Sequence, residues 1–200
     1  MTISDIVNNV KVYGLEDSIR RAKFPMSTDV SEITCELTDG IRNLATAARG
    51  SGHDNFLKGI VVQFDLTFTV KAWTQAERYH WFDIVSSQST MHRISRFNIS
   101  NSYIKYVDPR CIDVIKEKIR QFNNLKNIGE NEAAAEKYLE ILYTNPAGCK
   151  LTAGITTNYQ QLKTIYAQRK THKLPEWRIF CEFIESLPNS EFITNNRKEN

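Results

Sequence analysis

The stretch SSQSTMHRISRF, Ser86 to Phe97, gathers hydroxyls, an amide, an imidazole and two guanidinium groups within twelve residues. Arginine presents a planar fork that matches phosphate, here at Arg93 and Arg96. Ser86, Ser87, Ser89 and Thr90 add hydroxyl donors, and Gln88 carries an amide able to read a pyrimidine-like edge. The other histidines, His53, His80 and His172, also stand in polar segments, with Arg78 beside His80 and Arg169 beside His172. Together these types suit an anionic ligand with a polar heterocycle. A polar turn that caps a helix would have the same composition, and composition does not choose between them. No phosphate loop, dinucleotide fingerprint, HExxH or GxSxG occurs. No two histidines lie at i, i+3 or i+4, so no metal site is expected.

These residues need elements to position them. GIVVQFDLTFTVKAW reads as a strand, since Val62, Phe64, Leu66, Phe68 and Val70 alternate with Gln63, Asp65, Thr67 and Thr69. Val10–Tyr13 is a shorter strand closed by Gly14. Asp29 and Glu32 have capping-box spacing and open a helix through Ile33, Leu37, Ile41, Leu44 and Ala48. Trp73–Val85 reads as a second helix. Asp108-Pro109 starts a third, with an inward stripe of Ile112, Ile115, Ile119 and Phe122. Glu130–Thr144 returns with Ala134, Tyr138, Ile141 and Leu142 inward, making a helical hairpin over 108–145. TNPAGCKLTAG reads as a loop. Thr157 caps a helix to about Gln168, Pro175 starts one to Leu187, and the tail 195–200 frays. The expected class is α+β: a central, mainly antiparallel sheet with packed helices, in one domain over 1–200.

The totals agree with a globular chain of 200 residues, 41% hydrophobic and 24% charged. A net charge of +3 is too mild for bulk nucleic-acid binding and leaves room for an anionic small ligand. Cys35, Cys111, Cys149 and Cys181 form no CxxC pair and are expected to be buried, inert thiols in a reducing compartment. The N-terminus MTISDIVNNV lacks the features of a signal peptide, and no apolar run is long enough to span a membrane. A cytoplasmic location is expected.

Three blocks, in order over 50–187, resemble the flavin-dependent thymidylate synthases, the ThyX family. GSGHDNFLKGIVVQFDLTFTV is similar to the family's His followed by Phe-Glu-His and a strand, with His53 on the His and no Glu near Leu57 or Lys58. The family signature is Arg-His-Arg followed by spaced Ser, Asn, Ser and Arg-Tyr. With Arg93-Ile94 on the Arg-Tyr, Ser86 falls on the first Ser, Gln88 on the Asn and Met91 on the second Ser. The triplet then falls on Trp81-Phe82-Asp83. A one-residue shift makes Ser87 the first Ser, and the nearest basic cluster, Arg78-Tyr79-His80, lies three residues early. TTNYQQLKTIYAQRKTHKLPEW resembles the third block. Asn158 matches its Asn, Gln160 replaces its first Arg, Arg169 follows at the family spacing, and His172 and Glu176 come after.

The resemblance implies a ThyX-like fold, a homotetramer and sites where subunits meet, with FAD and dUMP side by side. It implies that NADPH and methylenetetrahydrofolate are co-substrates. Arg93 would bind the dUMP phosphate and Arg169 the uracil, where it would stabilise a developing enolate. Ser86, with Ser87 and Gln88, would lie beside the nucleotide, and Ser86 and Arg169 would be catalytic. His53, Asn158, His172 and, by position only, Arg78 would face the flavin. Cys149 lacks the Pro-Cys setting of the cysteine-dependent synthases. Three readings follow: a divergent synthase acting on dUMP or a related pyrimidine nucleotide, a nucleotide-binding or regulatory relative without methyl transfer, and an unrelated α+β interaction protein.

Overall fold

Val62, Phe64, Leu66 and Phe68 are all buried, and they belong to the strand on which the fold is built. The structure is a computed structural model, and it describes residues 1–48 and 50–195. The N-terminal turn α1 (Ile3–Ile6) leads into β1 (Val7–Tyr13), α2 (Leu15–Arg21) and α3 (Asp39–Ala45). β2 (Val61–Thr69), α4 (Val70–Ala76), β3 (Phe82–Ser87) and the turn α5 (Thr90–Arg93) follow. The hairpin α6 (Pro109–Asn127) and α7 (Asn131–Thr144) precedes β4 (Lys150–Asn158), α8 (Tyr159–Arg169), α9 (Pro175–Glu185) and α10 (Glu191–Thr194). The sheet order is β1-β2-β4-β3, every neighbour antiparallel. The expected α+β class with a central antiparallel sheet is therefore found. The tail 196–200 lies outside the described residues, so its expected fraying is not addressed.

One face of the sheet carries the core. α9 lays Trp177, Phe180 and Phe183 on it, with Phe68 and Trp177 ring centroids 4.8 Å apart and Phe64 and Phe183 5.3 Å apart. Such tilted and edge-on contacts bury large apolar area with favourable ring geometry. The opposite face is polar and satisfies itself in cross-strand pairs: Thr67 with Thr152 at 2.7 Å, and Gln63 Nε2 donating to Thr156 Oγ1 at 3.2 Å. A second apolar cluster joins Ile115, Ile119 and Ile141 of the helical hairpin to Ile94, Tyr103 and Cys149.

Five sequence expectations change. β4 replaces the expected loop from Lys150 onward. It lies between β2 and β3, so pairing on both edges carries the strand through Ala153-Gly154, the pair that disfavours it. The expected helix Trp73–Val85 ends at Ala76, and the chain re-enters the sheet as β3, where Phe82 pairs opposite Thr157. Thr69 rather than Val70 marks the switch from β2, because its Oγ1 accepts from Ala72 N at 3.2 Å and caps α4. The helix expected from Asp29 is a single turn, Val30–Glu32, since the Asp29 carboxylate bonds Ser31 N and Oγ; α3 begins later, capped by Thr38. Cys149 and Cys181 are buried, with burial raising both thiol pKa values, that of Cys181 to about 12. Cys35 and Cys111 are exposed, contrary to expectation.

Candidate functional site

α8 begins where Asn158 ends β4. The Asn158 carbonyl Oδ1 accepts from Gln161 N at 2.9 Å, so this predicted flavin-facing residue is the helix cap. The first turn of α8 and the segment 50–58 enclose a cleft of about 440 Å³ lined by Gly52, Asn55, Lys58, Trp81, Gln160 and Gln161, among others. Beneath it lies an ion pair out of reach of water: Lys163 is 0% exposed and Asp54 1%. Lys163 Nζ donates to Asp54 Oδ2 at 2.9 Å and to the carbonyls of Ala45 and Ala47 at 2.8 and 2.7 Å, using all three protons. Gln160 Nε2 donates to Asp54 Oδ1 at 3.1 Å. A buried charge persists only when so satisfied, and this one ties α3, the loop and α8 together. His53 is exposed between the cleft residues Gly52 and Asp54.

At the other end of α8, Arg169 is packed rather than open. Its Nε donates to Tyr79 Oη at 2.7 Å and its Nη1 to Gln75 Oε1 at 2.9 Å. The guanidinium lies 4.9 Å from the Trp177 ring centroid and 5.5 Å from that of Tyr79. His172 joins this group: its Nδ1 accepts from Leu174 N at 3.1 Å, and its ring meets Trp177 edge-on. Burial, and then the Arg169 charge, lower the His172 pKa. Arg78 is exposed next to Tyr79.

The remaining predicted residues stand at the far end of β3. Ser86 and Ser87 are exposed and sit opposite Gly154 and Ala153. Gln88 continues the ladder with its side chain as well as its backbone: its N donates to Thr152 O, and its Oε1 accepts from Thr152 N, both at 2.9 Å. Arg93 is exposed on α5. Phe82 opposes Thr157 while Ser87 opposes Ala153. That is four residues of β4, or about 13 Å of strand. One chain thus joins His53 and Asn158 near the cleft and Arg169 and His172 at the aromatic cluster, and holds Ser86–Arg93 apart from the cleft. The sequence reading missed Asp54, Trp81, Gln161 and Lys163. A signal existed for Lys163, which falls with Tyr159, Leu162 and Tyr166 at the spacing of one helix face. Among the described residues, no group of three or more His, Cys, Asp and Glu is placed to hold a metal ion, and no helix is long and apolar enough to cross a membrane.

Neither a protein-family model nor a curated protein sequence matches the chain. Solved structures do. A flavin-dependent thymidylate synthase ThyX from Helicobacter pylori, complexed with FAD and dUMP, superposes with a TM-score of 0.66 at 12% identity, over 94% of this chain and 97% of that one. A second structure of that enzyme with FAD and dUMP gives 0.67 at 12% identity, over 94% and 96%. The UMP/dUMP methylase PolB from Streptomyces cacaoi, bound with 5-Br dUMP, gives 0.59 at 13% identity, over 90% and 89%. The chain has a ThyX-like fold, which sets aside the reading of an unrelated α+β fold.

Proposed function

We propose that this protein is a divergent flavin-dependent enzyme that transfers a one-carbon unit to C5 of dUMP or a related pyrimidine nucleotide. The observation that carries the reading is the superposition over 94% of the chain on a synthase holding FAD and dUMP, together with a polar cleft beside His53 and Asn158. NADPH and methylenetetrahydrofolate are its co-substrates, and the working form is a homotetramer in the cytoplasm.

In this reading the cleft at the start of α8 takes the flavin. Asn55, Gln160 and Gln161 offer amides, Trp81 an indole, and Lys58 a cation outside the Lys163–Asp54 pair. These residues would hold a flavin whose reduced form would supply the hydride that turns the transferred carbon into a methyl group. Ser86, Ser87 and Arg93 hold the nucleotide, Arg93 at its phosphate. Arg169 faces the uracil carbonyl with Nη2, the nitrogen outside its bonds to Tyr79 and Gln75, and stabilises the enolate that develops when C5 is activated. His172 and Arg78, at the opposite end of α8 from this cleft, face the flavin held by another copy of the chain. The separation of the cleft from Ser86–Arg93 along β3 supports a site assembled from more than one copy of the chain.

A second reading, nucleotide binding without methyl transfer, is favoured by one position. Where the signature would place cations, Phe82 is core, packed on Phe64 and Phe180. A thermal-shift series with FAD, FMN, dUMP and dCMP separates the two. The enzyme reading expects a yellow protein whose Tm rises with FAD and with dUMP. A colourless protein that responds to dUMP alone selects the second reading, and no response to any of the four rejects both.

A further inference from the structure

Between α5 with the turn after it and the helical hairpin lies a groove of about 710 Å³. Its size suits a mononucleotide-scale ligand. His92 and Arg96 line one wall, and Lys126, at the end of α6, lines the other. Among the described residues no carboxylate lines the groove, and neither Arg96 nor Lys126 takes part in a salt bridge. Lys126 Nζ donates to Asn131 Oδ1 at 3.2 Å across the hairpin turn. Phe122 and Tyr138, ring centroids 5.0 Å apart, form its aromatic wall. Met91, 59% exposed, adds a polarizable apolar contact. Elsewhere on the hairpin, Lys118 and Lys137 are neutralised by Glu140. Arg110, Lys116 and Arg120 are likewise paired with carboxylates, so among the described residues of the hairpin Lys126 is the cation without a salt bridge, and it faces this groove.

We propose that the groove binds a nucleoside monophosphate, with the phosphate on Arg96 and Lys126 and the base against Phe122 and Tyr138. Unpaired cations in a groove without carboxylates select an anion, and the arginine fork matches phosphate oxygens. Aromatic side chains hold a base by its π face, which every base has, so the groove accepts purines as well as pyrimidines. The site is independent of the proposed one-carbon transfer. It uses the hairpin, and neither the cleft residues nor Ser86, Ser87 or Arg93 line it.

AMP is the probe, because a pyrimidine-specific site does not take it. Calorimetry on the full chain, free of flavin, is compared for AMP, adenosine and inorganic phosphate. AMP is expected to bind, with adenosine about tenfold weaker for want of the charge-assisted bonds. Arg96→Ala and Lys126→Ala should each weaken AMP about tenfold, with melting curves like that of the parent chain. Arg93→Ala and Gln160→Ala should leave AMP affinity unchanged, and the Met91 methyl resonance should move on titration. The proposal is overturned by any of three results: no AMP binding, equal affinity for AMP and adenosine, or AMP affinity indifferent to both Arg96→Ala and Lys126→Ala. Because the groove would also take dUMP, the dUMP shift of the enzyme reading is measured in Arg96→Ala, where that shift tests the enzyme site separately from the groove.

Discussion

Lys163 places an ammonium where no water reaches it, and four acceptors and donors around Asp54 and Lys163 make that tolerable. Removing one charge strands the other. Lys163→Met should cost about 3–5 kcal/mol of stability, read from urea unfolding, and Lys163→Met combined with Asp54→Asn should recover part of the loss. An undiminished unfolding midpoint for the single variant would mean that the pair contributes nothing. His172 gives a second residue-scale expectation. Its folded pKa is lowered, by burial and by Arg169, so the unfolded chain takes up a proton first as pH falls. Stability is then intact above the ordinary histidine value of 6.5 and declines as pH drops below it towards the folded pKa. His172→Asn keeps an acceptor for Leu174 N and removes the titration. Its Tm should fall less than that of the parent between pH 7 and pH 5.5, and parallel slopes for the two proteins would refute the assignment.

Elements were legible in the sequence where one local pattern had no rival. The alternation of Val62, Phe64, Leu66 and Phe68 gave β2, and the Ile112–Ile119 and Ala134–Ile141 stripes gave the hairpin, whose inward residues are those expected. β3 and β4 were not legible, because each is held by the other. Ser86 and Gly154 have no strong strand preference of their own, and the pairing of Asp83 with Thr156 and Ser87 with Ala153 decides their conformation. The candidate site suffered for the same reason. Ser86 and Gln88 were read as following a helix, yet they continue a strand. Gln88 consequently has a structural duty that its composition hid. Gln88→Ala removes the acceptor for Thr152 N and should cost about 1 kcal/mol. Amide exchange should report the loss at Thr152, with the amides of β1 unchanged. Equal protection at Thr152 in both proteins would show that the side chain is dispensable.

At the scale of the whole molecule, the fold sets two groups of polar residues at opposite ends of β3. About 13 Å of strand separates the two groups, and the proposed composite site has the cleft of one copy meet the Ser86–Arg93 segment of another. Closed symmetric assembly supplies such a meeting, repeated at every interface. The composite site has a direct test. Arg93→Ala disables one half of each composite site, and Gln160→Ala with Lys58→Ala disables the other. Each protein alone should neither release the C5 hydrogen of dUMP nor form a methylated product. Mixed and reassembled in equal amounts, they should regain roughly a quarter of the parent activity, since random assembly pairs an intact cleft with an intact segment at that frequency. A mixture as inactive as its components, under conditions where subunit exchange is verified by mass spectrometry, would place both halves within one chain and would contradict the composite site.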